Sequence, residues 1–219
     1  MGFTSRSSVA VLIPVLARPH RVAALLESLA AATRSPYRAL FICDPHDHAE
    51  QQAVRDAGAE ALIVAGNYAR KINQGVAAST DPLIFLGADD LHFHPGWLAH
   101  ARQHLAPGIG VVGTNDLGNP RVVSGRHATH CLVTRAYASL GCIDQPGQLL
   151  CEAYAHNFVD DELVATARRR EAWAFARQAV VEHQHPHWGK ADMDATYETG
   201  LASFEADREL HRTRIPLWT

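Results

Sequence analysis

Along the first half of the chain, short apolar runs alternate with stretches whose apolar residues recur every three or four positions. Val9 to Leu16 is a continuous apolar run, as a strand buried on both faces requires, with Pro14 limiting its pairing. Ala17-Arg18-Pro19 leads into a helix in which Val22, Leu25, Leu26 and Leu29 form one apolar stripe, stopped at Ser35-Pro36. Ala39 to Cys43 is the next strand and delivers Asp44 to the edge where the first strand ends. Asp47 and Glu50 then open a short helix with capping-box spacing, closed by Gly58. A third strand covers Ala61 to Val64, and Tyr68 to Ala78 is a helix with Ile72, Val76 and Ala77 inward. Leu83 to Leu86 is again a buried strand. Pro95 begins a helix that buries Trp97, Leu98, Ala101 and Leu105, and Ile109 to Val112 is one further strand. Four such alternations predict an α/β fold, a Rossmann-like, mostly parallel sheet with helices on both faces.

The second half changes character. Thr114 to Arg126, rich in Gly, Asn and Pro, reads as a long functional loop. Thr129 to Val133 suits a strand, Arg135 to Leu140 a short helix closed by Gly141, and Asp160 to Arg169 a helix. Ala179 to Glu182 is a strand leading into His183-Gln-His-Pro-His187, and Ala202 to His211 is a helix. With no repeat or linker between the halves, one domain over 1–219 is expected.

Composition narrows the function classes. The 47% hydrophobic and 20% charged content is that of an ordinary globular protein, and 219 residues suffice for a proper core. A net charge of -3 without a long basic run argues against a nucleic-acid partner. Cys43, Cys131, Cys142 and Cys151 show no C-x-x-C spacing and no secretory core precedes them, which fits a reduced, cytoplasmic setting. No apolar run approaches a membrane span, and Arg6 disqualifies Met1-Gly2 as a myristoylation signal. G-x-G-x-x-G and P-loop patterns are absent, so this is not an ordinary dinucleotide or P-loop binder.

The chemistry concentrates where Leu83 to Leu86 ends. Asp89 and Asp90 are adjacent carboxylates at the exit of a buried strand, where ligands of open α/β sheets bind. They repel each other and lose hydration, so they need a compensating cation or donors. A hard divalent ion such as Mg²⁺ or Mn²⁺, with phosphates completing its shell, suits them.

Several segments, in order, resemble the inverting family 2 glycosyltransferases of the GT-A fold. Val-Leu-Ile-Pro14-Val-Leu-Ala-Arg-Pro is similar to the first strand and loop where the nucleotide base docks, and Asp44 matches the acid that contacts the base. Ala69-Arg-Lys71-Ile-Asn73-Gln-Gly is similar to the segment ahead of the metal strand, and Phe85-Leu-Gly-Ala-Asp89-Asp90 to the D-x-D region. Val159-Asp160-Asp161-Glu162-Leu163 is like the acceptor-side E-D-x-D-L motif, and Val180-Val-Glu-His183 like the later strand that ends in a metal-binding His. Two positions depart: Gly87 stands where the first acid of D-x-D is usual, and Val159 replaces the Glu of E-D. The short chain and its Gly/Asn loop look most like compact glycosyltransferase-like proteins of phage and prophage genomes.

The resemblance implies a metal-dependent inverting transfer of a hexosyl-type sugar from a nucleotide-diphosphate sugar, UDP-linked, to a saccharide or other hydroxyl acceptor. Residues 1–110 would form the nucleotide-sugar half and 111–219 the acceptor half. Asp89, Asp90 and His183 would hold the metal, and an imidazole ligand favours Mn²⁺ over Mg²⁺. Pro14, Asp44, Lys71, Asn73 and Asp89 would contact the donor, and Asp160 would be the general base. On a helix Asp160 shares a face with Leu163, Val164 and Ala167, whereas Asp161 aligns with Ala165 and Arg168 toward solvent. The bland alternative makes Asn157 the helix cap and Asp160 its third-position acid. His92 and His94 read as solvent-facing, Arg168-Arg-Arg170 as a solvated helix end, and Arg126 and Lys190 as possible diphosphate contacts. Competing readings are a GT-A-fold nucleotidyltransferase, a non-catalytic nucleotide-sugar binder, and a zinc hydrolase built on His183, His185 and His187.

Overall fold

The computed structural model describes residues 8–219; the reading of Met1-Gly2 and Arg6 lies outside them. The strands are β1 (Val9–Pro14), β2 (Tyr37–Cys43), β3 (Glu60–Ile63), β4 (Leu83–Leu86), β5 (Leu91–Phe93), β6 (Val111–Asn115), β7 (Cys131–Thr134) and β8 (Trp173–His183). They form one eight-stranded sheet in the order β3-β2-β1-β4-β7-β6-β8-β5. The helices are α1 (Val22–Ala32), α2 (His48–Asp56), α3 (Tyr68–Ala78), α4 (Trp97–Arg102), α5 (Pro120–Val123), α6 (Arg135–Leu140), α7 (Val159–Arg169), α8 (Ala195–Ala202) and α9 (Phe204–Arg214).

Alternation along β1 explains why helices cover both faces. Val9, Val11 and Ile13 point into a core shared with Val22, Leu25 and Leu29 of α1 and Trp97 and Leu98 of α4. Ala10 and Leu12 point into the opposite core, with Ile72 of α3, Tyr137 of α6, and Val159 and Leu163 of α7. Trp97 anchors the first core edge-on to Phe85, ring centroids 4.7 Å apart, and its indole donates to Thr33 Oγ1 at 2.9 Å.

The parallel pairing expected for the first half holds for β1–β2, β1–β4 and β2–β3. Beyond β4 it stops. The strand beside β4 is β7, antiparallel both to β4 and to β6, and β6 lies one place further out, parallel to β8. Chain order alone cannot show such an insertion. β1 ends at Pro14, where its pairing was expected to stop, and a 3-10 turn over Pro19–Arg21 precedes α1. β5, three residues with exposed His92 between buried neighbours, was too short to register as a period; it exists because β8 pairs with it.

β8 starts at Trp173, six residues ahead of the expected Ala179, and serves two partners. Ala176 opposes Thr114 of β6, yet the next β6 residue, Asn115, opposes Val180. Residues 177–179 bulge out there, and the strand then runs on beside β5. The stretch expected to be a long loop is shorter, since β6 continues to Asn115 and Pro120–Val123 forms one helical turn. The tail is two helices broken at Ser203. Asp207 of α9 accepts from the backbone N–H groups of Ala155, His156 and Asn157, docking the tail against the entry to α7. Among the described residues no helix is long and apolar enough to cross a membrane.

Candidate active site

Backbone contacts at the end of β4 decide what can stand there. Gly87 N–H donates to Leu12 O at 2.8 Å, and a Cβ at this position would lie 2.8 Å from the same oxygen. An acid at 87 is therefore sterically excluded, and the two carboxylates come from Asp89 and Asp90, 7% and 6% exposed. Facing them is a residue that sequence reasoning passed over, Arg18. Ala17 adopts φ +55°, and its N–H donates to Asp47 Oδ2 at 2.6 Å while Arg18 N–H donates to Glu50 Oε2 at 2.7 Å. The capping box is thus only half made: Asp47 caps α2 through Glu50 N, and buried Glu50 reaches across to the β1–α1 turn.

So placed, Arg18 donates from Nη1 to Asp89 Oδ1 at 3.0 Å. Its Nε and Nη2 grip both oxygens of Asp194 at 2.9 and 2.8 Å, and its guanidinium stacks 3.8 Å over the Tyr197 ring. Tyr197 Oη donates to Asp90 Oδ2 at 2.9 Å. His183, carried in by β8, places Nε2 3.2 Å from the same oxygen. Asp90 Oδ1 is buried with no partner among the described residues. Burial, with the charge of Asp90 next, pushes Asp89 up to about 7 against the pull of Arg18. Burial also raises Asp90, but the charge and hydrogen bond of His183 outweigh it and hold its carboxyl below the usual range. Burial depresses His183, and Asp90 reverses that to a raised pKa.

Asp90 and His183 are thus brought together, while Asp89 is engaged by Arg18. The described residues in which three potential ligand atoms converge are His127–Asp160–Asp161 and Cys142–Asp144–Glu162; Asp89, Asp90 and His183 do not yet form such a set. The second of these clusters is closed by Arg214, which binds both Asp144 and Glu162. The donors at Asp90 nonetheless fit a divalent ion: a buried carboxylate oxygen lacking a donor, a second acid and an imidazole.

The remaining histidines divide. His130 donates from Nδ1 to Leu86 O at 3.0 Å, with its ring edge-on to His183; burial and the His183 charge lower it to about 4. Pro186 interrupts the alternation of His183, His185 and His187 with a 3-10 turn over Pro186–Trp188, and His185 Nδ1 accepts from His187 N–H. These three imidazoles are not among the described groups whose ligand atoms converge, as the zinc reading requires. His92 is exposed, and His94 bonds Glu182 at 3.0 Å, where Lys190 also pairs at 2.7 Å.

On the acceptor side, α7 begins at Val159 after Phe158, which adopts φ +65°, a left-handed conformation costly for a bulky residue. The Phe158 ring stacks on His211 at 5.1 Å and lies 5.2 Å from Phe204, which holds that conformation in place. Asn157 does not cap the helix; its amide donates to Gly200 O, Ser203 Oγ and Asp207 Oδ2. Asp160 Oδ2 accepts from His127 Nε2 at 3.0 Å. Burial raises Asp160, but His127 brings its pKa below the ordinary value; burial lowers His127, and Asp160 brings it above. Asp161 does not face solvent as expected, because Arg121 covers it in an ion pair.

At the ends of β1 and β2, Pro14 is buried, Asp44 Oδ1 accepts from His46 N–H at 3.0 Å, and Lys71 Nζ donates to Val15 O at 2.9 Å. Burial lowers the Lys71 pKa, opposed first by the charge of Asp44, so these groups share one corner. Asn73 does not join them. Its amide clamps Leu150 through both N–H and C=O, and donates to Glu152 Oε1 at 3.0 Å. Arg126 stays exposed with its Nε on Ser124 Oγ.

No protein-family model and no curated protein matches the sequence. Solved structures do. A mannosyltransferase from Pyrobaculum calidifontis in complex with GDP-Man and Mn²⁺ superposes with a TM-score of 0.61 at 14% identity, over 81% of this chain and 57% of that one. The chain therefore spans little more than half of that enzyme's length. Glucosyl-3-phosphoglycerate synthase from Mycobacterium tuberculosis, in complex with Mn²⁺, UDP-glucose and phosphoglyceric acid, gives 0.63 at 14% identity, over 90% of this chain and 76% of that one. The architecture is thus the α/β GT-A fold of these glycosyltransferases.

Proposed function

We propose that this chain is a metal-dependent glycosyltransferase that moves a sugar, with inversion, from a nucleotide-diphosphate sugar to an acceptor hydroxyl. The observation that carries the reading is the buried Asp89–Asp90 pair at the end of β4, with His183 aimed at Asp90 and one Asp90 oxygen unpartnered among the described residues. The fold supports it, since the similar mannosyltransferase and synthase are described with Mn²⁺ and GDP-Man or UDP-glucose. Asp89, Asp90 and His183 would hold the ion, Mn²⁺ or Mg²⁺, which supplies Lewis-acid neutralisation of the diphosphate leaving group. Pro14, Asp44 and Lys71 would line the base pocket in the 1–110 half. Asp160, ionised and oriented by His127, would take the proton of an acceptor held in the 111–219 half. Four buried free thiols suit a reduced, cytoplasmic setting.

The direct test is thermal denaturation with UDP, GDP and other nucleoside diphosphates, with and without Mn²⁺. A nucleotide at about 100 times its Kd adds roughly 2.7 kcal/mol. UDP with Mn²⁺ should give the largest shift, and Asp89→Asn should abolish its Mn²⁺-dependent part. A panel in which no nucleotide raises Tm sinks the reading. Arg18 seated on Asp89, and the side-chain-free position at Gly87, favour a second reading in which the donor is bound but not turned over. Donor stabilisation without transfer to any acceptor, or hydrolysis, would select it.

A further inference from the structure

A cleft of about 290 Å³ opens between α7, the segment around Arg121 to His127, and the last helical turns of the chain. Its polar side carries Arg121, Arg126, Arg168, His127 and Asp161. Arg121 is matched by Asp161 and His127 by Asp160. Arg126 and Arg168 have no carboxylate partner among the described residues. Arg126 gives Nε to Ser124 Oγ at 3.1 Å, and Arg168 gives Nη2 to Arg126 O at 2.9 Å.

Arg168 is an exposed residue at the end of α7, as its sequence predicts, and it is also held in place. Its guanidinium is fixed on the 125–126 backbone and lies 5.7 Å from the Trp173 ring centre, so it is oriented before any ligand arrives. In a chain of net charge -3, two uncompensated guanidinium groups therefore meet at one concave surface. The apolar part of the lining comes from Val164 of α7 and from Ile215 and Trp218 in the last turns of the chain. His127 belongs to both the cleft and the Asp160 pair, so whatever fills the cleft abuts the proposed base.

We propose that this cleft is the acceptor pocket and that it selects an acceptor bearing a phosphate or carboxylate group. The anion sits on Arg126 and Arg168, and the carbon frame lies against Trp218 and Ile215. The acceptor role rests on the glycosyltransferase reading above; the anion selectivity stands on the cleft alone.

Calorimetric titration at constant ionic strength, with inorganic phosphate, glucose 6-phosphate and neutral glucose as probes, tests it. Both anions should bind saturably and compete for one site, with glucose at least tenfold weaker than glucose 6-phosphate. Loss of one charged hydrogen bond costs roughly ten- to a hundredfold in affinity. Arg126→Gln and Arg168→Gln should each show such a loss, and in Arg168→Gln the Mn²⁺-dependent UDP stabilisation stays at the wild-type value. Arg126 is exposed and bonds only Ser124, so its variant remains informative if Arg168→Gln misfolds. Absence of saturable anion binding, equal affinity for glucose, or unchanged binding in Arg126→Gln overturns the proposal and leaves the UDP result to speak for the donor site. Anion binding retained where no nucleotide binds overturns the acceptor role.

Discussion

Asp160 sits between two opposed influences, burial that disfavours its charge and His127 that favours it, and the second prevails. Replacement by Asn keeps the shape but removes the proton acceptor, so transfer should fall by roughly two to four orders of magnitude with donor binding unchanged. Kinetics of Asp160→Asn beside Asp161→Asn decide between the neighbours; a collapse confined to Asp161→Asn would move the base to that residue. The same pair sets a pH dependence. The folded pKa of His127 is raised above 6.5, so its contribution is complete below that value and lost as pH climbs through the folded one. The folded pKa of Asp160 is lowered from 3.8, so its contribution is complete above that value and lost as pH falls through the folded one. Denaturant melts of wild type and His127→Gln should therefore differ most between the two ordinary values, at about pH 5.5, and draw together as pH rises through the folded pKa of His127; a gap independent of pH would mean His127 acts by packing alone. Asp89 and Asp90 could be singled out because they stand just past the plain apolar run of β4, and His183 because it closes the apolar second half of β8. Arg18 was not: nothing local announces the left-handed backbone at Ala17, and its partner Asp194 lies 176 residues away. Asn73 misled because a polar residue on a helix reads alike whether it faces a ligand or clamps a neighbouring loop.

Among the elements, β8 does two jobs and its bulge separates them. The half before it extends the sheet beside β6, and the half after it aims His183 at Asp90. Side chains alternate faces along a strand, so deleting exposed Gln178 should turn His183 to the opposite face while leaving Trp173 to Ala176 paired. The expected outcome is a folded protein whose UDP stabilisation no longer depends on Mn²⁺. Full Mn²⁺ dependence in that variant would remove His183 from the ligand set. On the other layer, Trp97 joins α4 to the aromatic cluster of Phe85 and Phe93, and Trp97→Ala should cost about 3–5 kcal/mol in a denaturant titration. Continuous apolar strands and a period-3.6 helix were readable for β1, β4 and α1 because each buries a whole strand or one stripe, whereas α3 buries Lys71, Ile72 and Asn73 and leaves the expected Ala77 exposed. The first half of β8 is only partly buried, so its pattern carries no clear period, and the β7 insertion depends on partners that local sequence does not encode.

At the scale of the whole molecule, Arg18 links the first turn of the sheet to α8. One guanidinium holds Asp89, Asp194 and the face of Tyr197, so residues near both ends of the described chain share a single charge. A divalent ion that took Asp89 would compete with Arg18 for that carboxylate and repel its guanidinium, which would loosen its hold on α8; amide exchange across 194–202 should then accelerate on adding UDP with Mn²⁺. Exchange left unchanged would show that Arg18 keeps Asp194 while Asp89 moves. Removing the charge altogether is a harsher change: Arg18→Gln leaves buried Asp89 without its charged partner and should cost about 3–5 kcal/mol. Wild type behaves otherwise, because its counter-ion is covalently part of the chain. In the absence of nucleotide, treatment with EDTA should lower the wild-type melting temperature less than that of Arg18→Gln held in Mn²⁺. Scarcity of manganese would then silence the protein while sparing it from unfolding and from the proteases that clear unfolded chains.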